Sequence, residues 1–299
     1  MKRLLALSAG CVVMVAAWGQ ASKVEQLVTL PGDRFENIYQ MPDGTLYFTA
    51  VFTNKVMRRT PDGKLDVLTD SLHNPQGVLP YGSGFVVNWH ERTPDFLNRA
   101  RMTMAGLGQH LSVLDASGKV VKTLSGPDEA AFYNGMSFTG PDTLLISDSS
   151  AGRILNANLK TGVVSVWLDK PAIVAALGGT GSPNGLKVHK GWVYFARGDI
   201  YRVEIGADGG PKGVPIPAAR TGGTDDFDVA SDGTVYAGSG RGVLKVATDG
   251  TTSVLLDQGV PSITAVRVAQ DGKAVFAVGG GLPFQPDPAP GYVTRIALP

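Results

Sequence analysis

Cysteine is almost missing from this sequence. The single cysteine of the 299 residues, Cys11, lies in the N-terminal apolar stretch. Once that stretch is removed the chain has no thiol and no disulfide, so its stability has to come from packing or from a bound ion. Charge of one sign is scarce as well. With 27 Lys and Arg against 26 Asp and Glu, the net charge is +1, and no long run of either sign occurs. This excludes a broad electrostatic footprint for nucleic acid or an anionic membrane surface. Long hydrophobic runs are also lacking. In "MKRLLALSAGCVVMVAAWGQAS" a basic start at Lys2 and Arg3 leads into an apolar run from Leu4 to Trp18. That run is shorter than the roughly 20 residues a membrane span needs, and a small-residue exit follows it. Residues 1–21 therefore read as a secretory signal peptide, not a retained helix, and the mature protein is expected to be secreted or periplasmic with no membrane partner. A lipid anchor at Cys11 is the alternative, but the preceding "SAG" lacks the usual leading aliphatic residue.

Glycine and proline are plentiful. The 39 Gly and 19 Pro, with only 18% charged residues, suit many short strands and tight turns better than long helices. One pattern returns six times: a short apolar strand, an Asp- and Gly-rich turn, a second strand of β-branched and aromatic residues, then further strands. The units begin near Phe35, Asn74, Tyr133, Pro183, Thr224 and Ser262. A four-strand repeat of about 40 to 50 residues is the signature of a β-propeller. The expected fold is all-β, a six-bladed β-propeller in one domain over 22–299. The last unit has three strands of its own, and "VEQLVTL" at 24–30 is expected to supply the fourth and close the ring.

Aligned on their first turns, all six units start the inner strand with an oxygen-bearing residue: Glu36, Gln76, Asn134, Asn184, Asp225 and Thr264. Inner strands surround the central channel, so these side chains converge at one mouth. Two carboxylates and two amides facing one another would repel or take up a proton unless compensated. A bound cation resolves this, and an all-oxygen set favours a hard ion, Ca²⁺ before Mg²⁺, Mn²⁺ or Zn²⁺. The simpler alternative is that these residues hydrogen-bond the strand starts and hold channel water.

The segments "FENIYQMPDGTLYFTAVFTNKVMR", "NGMSFTGPDTLLISDS", "SPNGL" and "DDFDVASDGTVYAG" resemble the gluconolactonase, regucalcin (senescence marker protein) and luciferin-regenerating enzyme family over nearly the whole mature chain. The resemblance implies a divalent metal at the channel mouth held by Glu36, Asn184 and Asp225, with Asn134 as a further ligand or substrate contact. Asp226 corresponds to a site residue of the similar paraoxonase and phosphotriesterase-type propellers. It implies a metal-dependent hydrolase of lactones or related esters acting on a small molecule, with Asp225 as base or water-positioning group. The sequence departs from the sugar-lactone members at Phe132 and Gly135, where they carry Arg and Asp. Losing that guanidinium removes a fork suited to a hydroxylated, anionic substrate, so gluconolactone itself is not the expected substrate.

Loops joining the second and third strands should overlook the mouth. The long segments from Asn88 to Ser112 and from Gly279 to Tyr292 bring His90, Arg92, Arg101, His110 and Phe284 over it. The expected substrate contacts are Gln76, His90, Arg101, Phe132, Asn134, Asp226, Thr264 and Phe284. Two other classes fit the repeats: a non-catalytic propeller that keeps its ion as a plug and binds a partner, and a channel enzyme resembling strictosidine synthase.

Overall fold

The structure, a computed structural model, describes residues 23–298 except 93, 96–105, 127–130, 179–181, 240–241, 258–261, 283–284 and 286. The chain opens with β1 (Val24–Leu30) and then lays down β2 (Phe35–Gln40), β3 (Leu46–Ala50), β4 (Lys55–Arg59) and β5 (Leu65–Thr69) as one sheet. A second comprises β6 (Gly77–Tyr81), β7 (Gly84–His90), β8 (Gln109–Leu114) and β9 (Val120–Ser125). A third holds β10 (Tyr133–Phe138), β11 (Thr143–Asp148), β12 (Arg153–Asn158) and β13 (Val164–Leu168), followed by a short helix, α1 (Lys170–Leu177). The fourth is longer: β14 (Leu186–His189), β15 (Trp192–Ile205), β16 (Pro211–Val229), β17 (Val235–Ser239), β18 (Gly242–Val246) and β19 (Thr252–Leu256). The last unites β20 (Ile263–Val268), β21 (Ala274–Gly279) and β22 (Gly291–Ala297) with β1. This is an all-β propeller.

The tight turns follow from residue chemistry. In the β2–β3 hairpin Gly44 takes φ +88°, and Asp43 accepts the Thr45 N–H at 2.9 Å. In β16–β17 Gly233 takes φ +94°, and Asp232 accepts from Thr234 N–H at the same distance. Glycine supplies the left-handed conformation and aspartate satisfies the backbone two residues on.

Middle strands are buried on both faces, which is why β21 (AVFAVG) is apolar without alternation. The outermost strands β5, β9, β13 and β19 face water, leaving Val67, Val121, Val166 and Val254 exposed. Between sheets the apolar faces merge. Phe35 and Phe48, both at 0% exposure with ring centroids 4.6 Å apart, pack with Phe276, Val278 and Val293 from the last sheet. Truncating either phenylalanine to alanine would cost about 3–5 kcal/mol.

Two expectations need correction. Six separate four-stranded sheets were anticipated, whereas four sheets have four strands and one has six. The reason is continuity in β15 and β16. β15 pairs with β14 through Phe195, bends at Gly198 (φ +75°) and pairs with β16 beyond it. β16 likewise changes partner at Thr224, from Gly198 on one side to Ser239 on the other. The bend at Gly198 falls inside the fourth unit, and β16 runs on without a break from the fourth unit into the fifth, which begins at Thr224. The second correction concerns His90 and His110, expected on a loop. The register Asn88↔Leu111, Trp89↔His110, His90↔Gln109 places both on strands.

The expected partnership of residues 24–30 with the C-terminal strand is present, antiparallel from Val24↔Ile296 to Leu30↔Gly291. The inner strands β2, β6, β10, β14, β16 and β20 each pack beside the next, and β20 packs beside β2.

Candidate functional site

Four inner strands carry a register break at the residue singled out by the sequence. Pairing shifts between Phe35 and Ile38 around Glu36, between Tyr133 and Met136 around Asn134, between Thr224 and Phe227 around Asp225, and between Ile263 and Ala265 around Thr264. A β-bulge re-aims the side chain it contains. The glycines that follow do a second job. A Cβ on Gly135 would lie 2.3 Å from Leu186 N, and one on Gly185 would lie 2.1 Å from an Asp226 oxygen. Their absence lets neighbouring inner strands touch: Gly135 N–H donates to Asn184 O at 3.3 Å, and Gly185 N–H to Asp225 O at 2.9 Å.

The side chains so gathered line a cavity of about 370 Å³. Glu36, Gln76, Asn134, Asn184 and Asp225 all face it, together with Arg34, Phe132, Val51, Leu282 and the serines 149 and 150. Val51, Ser149, Ser150 and Leu282 follow second strands of their sheets, as expected for loops on this face.

Asp225 accepts from Asn184 Nδ2 at 2.5 Å. Burial pushes its carboxyl up to about pH 8, the Glu36 charge adds to this, and Arg34 and Asn184 pull it back. Glu36 Oε2 accepts from Arg34 Nε at 3.1 Å. The side-chain oxygen of Asn184, Oδ1, is buried without a hydrogen-bond partner among the described residues. Two carboxylates, one of them pushed toward protonation, beside an orphaned amide oxygen are what an oxygen-bound cation would relieve. Among the described residues no three His, Cys, Asp or Glu side chains cluster, so Glu36 and Asp225 would need the amides Asn134 and Asn184 to complete a set. That composition suits a hard ion and not a soft one.

The comparisons place this geometry in context. No family model matches the chain, and no curated protein matches it in sequence. Among solved structures it is similar to luciferin-regenerating enzyme at 12% identity and a TM-score of 0.68, covering 93% of this chain and 95% of that one. A gluconolactonase from Xanthomonas campestris superposes with 17% identity and a TM-score of 0.67 over 93% and 90% of the two chains. The calcium-binding protein regucalcin from Agrobacterium tumefaciens gives 15% and 0.66 over 92% and 93%. The chain shares their propeller fold. At these identities the likeness establishes architecture, and residue roles in this propeller have to be read from its own site.

That site keeps some expected members and loses others. Thr264 turns away from the cavity, donating its hydroxyl to Phe35 O at 2.6 Å and Val278 O at 3.1 Å. Asp226, expected to meet substrate, lies next to Asp225 but on the other side of the strand, where Lys187 Nζ reaches its two oxygens at 2.6 and 2.8 Å. His90 does not line the cavity. It sits fully buried behind Phe132, ring to ring at 4.6 Å, and burial drives its pKa down to about 3. It is therefore a neutral packing partner of the cavity wall. Phe132 does face the cavity, its N–H fixed by Asp148 Oδ1 at 2.9 Å. Arg101 and Phe284 lie outside the described residues. Arg34 was missed because it stands before its strand, outside the repeat alignment; its spacing of two from Glu36 was the available signal. Gly135, where the sugar-lactone relatives carry Asp, has a packing reason, since Leu186 N occupies the place of a side chain.

Proposed function

We propose that the protein is a hydrolase of lactones or related carboxylic esters, with residues 22–299 forming one six-bladed propeller whose ring β1 closes. In this reading the six-stranded sheet is two blades joined through β16, which runs from one into the next. The N-terminal segment directs it to a secreted or periplasmic location. Glu36, Asn134, Asn184 and Asp225 hold a divalent cation, Ca²⁺ first. The observation that carries the reading is the buried, unpartnered side-chain oxygen of Asn184 beside the mutually repelling Glu36 and Asp225 in a partly apolar cavity. The fold shared with a gluconolactonase and a calcium-binding regucalcin supports it.

When bound, the cation would act as a Lewis acid on the acyl carbonyl. The chain's own residues do the rest. Phe132, Val51 and Leu282 receive the apolar part of the substrate and exclude water from it. Asn184 orients Asp225 through the 2.5 Å hydrogen bond. Asp225 takes a proton from the attacking water as its oxygen bonds to the acyl carbon, and returns it to the alkoxide released when the acyl C–O bond breaks.

A panel of alkyl and aryl lactones and aryl esters, assayed with and without chelator and after adding back Ca²⁺, tests this. Hydrolysis that is lost on chelation and restored by the ion is expected. No turnover of any member, despite tight ion binding, would replace the enzyme with a non-catalytic binding propeller.

A further inference from the structure

Arg34 is held as firmly as any residue at the cavity. Its N–H donates to Asp33 Oδ1 at 2.9 Å, the same oxygen accepts Phe52 N–H at 3.1 Å, and Asp33 Oδ2 accepts from Thr53 Oγ1 at 2.5 Å. Its carbonyl accepts Val51 N–H at 2.9 Å. The guanidinium is fixed from two directions. Nε donates to Glu36 Oε2 at 3.1 Å and Nη1 to Gly280 O at 2.6 Å. That carbonyl comes so close because residue 280 is glycine: at φ +152° a Cβ there would stand 3.0 Å from Arg34 Cα and from Asp33 O.

Of the five N–H donors in the guanidinium fork, these bonds use two. Nη2 has no partner among the described residues and is not sealed from solvent. The side chain retains 15% exposure, and the residue lines the cavity. A guanidinium that served only as counterion to Glu36 would offer its fork to both oxygens, as Lys187 serves both oxygens of Asp226. Here each edge of the fork has one nitrogen engaged, and three N–H remain, one on Nη1 and two on Nη2. Beside it stand Phe132, Val51 and Leu282.

We propose that Arg34 is a specificity-determining residue that anchors a carboxylate on the substrate, so that the preferred class is an apolar-bodied lactone or ester bearing one free carboxylate. The inference rests on the hydrolase reading for the word substrate, but the anion site itself does not. The remaining N–H of Nη1 and the two of Nη2 can meet a carboxylate on the Nη1–Nη2 edge, and the apolar wall matches the rest of the molecule. The charges agree: with a divalent ion, the ion and Arg34 outweigh Glu36 and Asp225 by one positive charge, which a single carboxylate neutralises.

Two measurements on the full-length mature protein test this. The first compares kcat/KM for an aryl γ-lactone carrying a carboxylate with that for its neutral methyl ester. The wild type should prefer the acid, and Arg34→Met should cut this preference by on the order of 10 to 100-fold, mostly through KM. The second is calorimetric titration with benzoate, with and without chelator. Binding that survives chelation and disappears in Arg34→Met supports the assignment. Binding that Arg34→Met leaves intact, or an equal preference for acid and ester in the wild type, overturns it. If Arg34→Met does not fold, Arg34→Lys decides: weakened benzoate binding supports the fork, and wild-type affinity overturns it. Should the wild type hydrolyse neither compound, the hydrolase reading falls and the benzoate titration alone judges the anion site.

Discussion

Asp225 and Asp226 are neighbours in sequence with opposite surroundings. Asp226 points toward the interior of the propeller, where Lys187 embraces both its oxygens, and further along the same strand Asp228 is matched by Arg267 at 3.4 Å. Charge there is balanced one to one. Asp225 points to the cavity, where it and Glu36 share a single guanidinium and an amide oxygen is left without a partner. The balanced region holds the inner strands together, while the unbalanced one is short of positive charge and long on acceptors. Evolution of a fold can retain an interior pair for packing, but an uncompensated cluster opening on a cavity costs stability and calls for something to bind there.

The largest effect should come from breaking the balanced region. Lys187→Met leaves Asp226 buried without its cation, and loss of one partner of a buried pair costs about 3–5 kcal/mol. Urea unfolding should show that loss; a change of under about 1 kcal/mol would mean the pair is not what holds these strands.

The unbalanced region should respond the opposite way. Asp225→Asn should reduce turnover by roughly 10² to 10⁴-fold even at saturating cation, the range for a lost acid or base. In chelator it should instead stabilise the protein at neutral pH. The sign follows from linkage. Because the folded-state pKa is raised from the ordinary 3.9 or so to about 8, the carboxyl favours the folded state below pH 4, and that advantage is lost as pH rises from 4 to 8. Stability curves for wild type and variant should therefore diverge across this window and converge below it. Parallel curves would mean that Asp225 ionises freely.

A smaller effect is expected at His90. Its folded-state pKa of about 3 lies below the ordinary value near 6.5, so its contribution is present above pH 6.5 and lost as pH falls toward 3. His90→Phe should flatten the acid side of the stability curve by up to about 1.4 kcal/mol per pH unit and leave no missing inflection near pH 6 to 7 in kcat/KM. An inflection removed by the substitution would return the histidine to the chemistry.

The contrast between the two aspartates also marks how far sequence could reach. Alternation, Asp-Gly turns and the repeat were legible because they depend on neighbours a few positions away. The same logic brought Glu36, Gln76, Asn134, Asn184 and Asp225 to one cavity. What failed was orientation and continuity. Asp226 looks like a second site carboxylate until Lys187, 39 positions earlier, is seen beside it. Thr264 satisfies the repeat but finds carbonyls of its own to bond. Glycines 198 and 222 bend strands where the pattern suggested an interruption, and α1, with Asp169 accepting Ala172 N–H at its start, carries no periodic signal strong enough to announce itself. Arg34 reaches Gly280 O across 246 positions, a contact no local pattern encodes.

The union of β1 with β22 has a bearing on how the protein is made. Gln26 bonds the carbonyl of Val293, 267 positions away, so β1 waits for a partner strand made long after it. The four other sheets can assemble in order as the chain grows, each from consecutive strands. The sheet of β20 and β21 begins the same way but gains β22 and β1 only at the end. Until then β1 carries an unpaired ladder and the apolar side chains of Leu27, Val28 and Leu30, an edge open to other nascent chains. A chain interrupted before β22 has been made is therefore exposed to aggregation at β1, far from where it was interrupted.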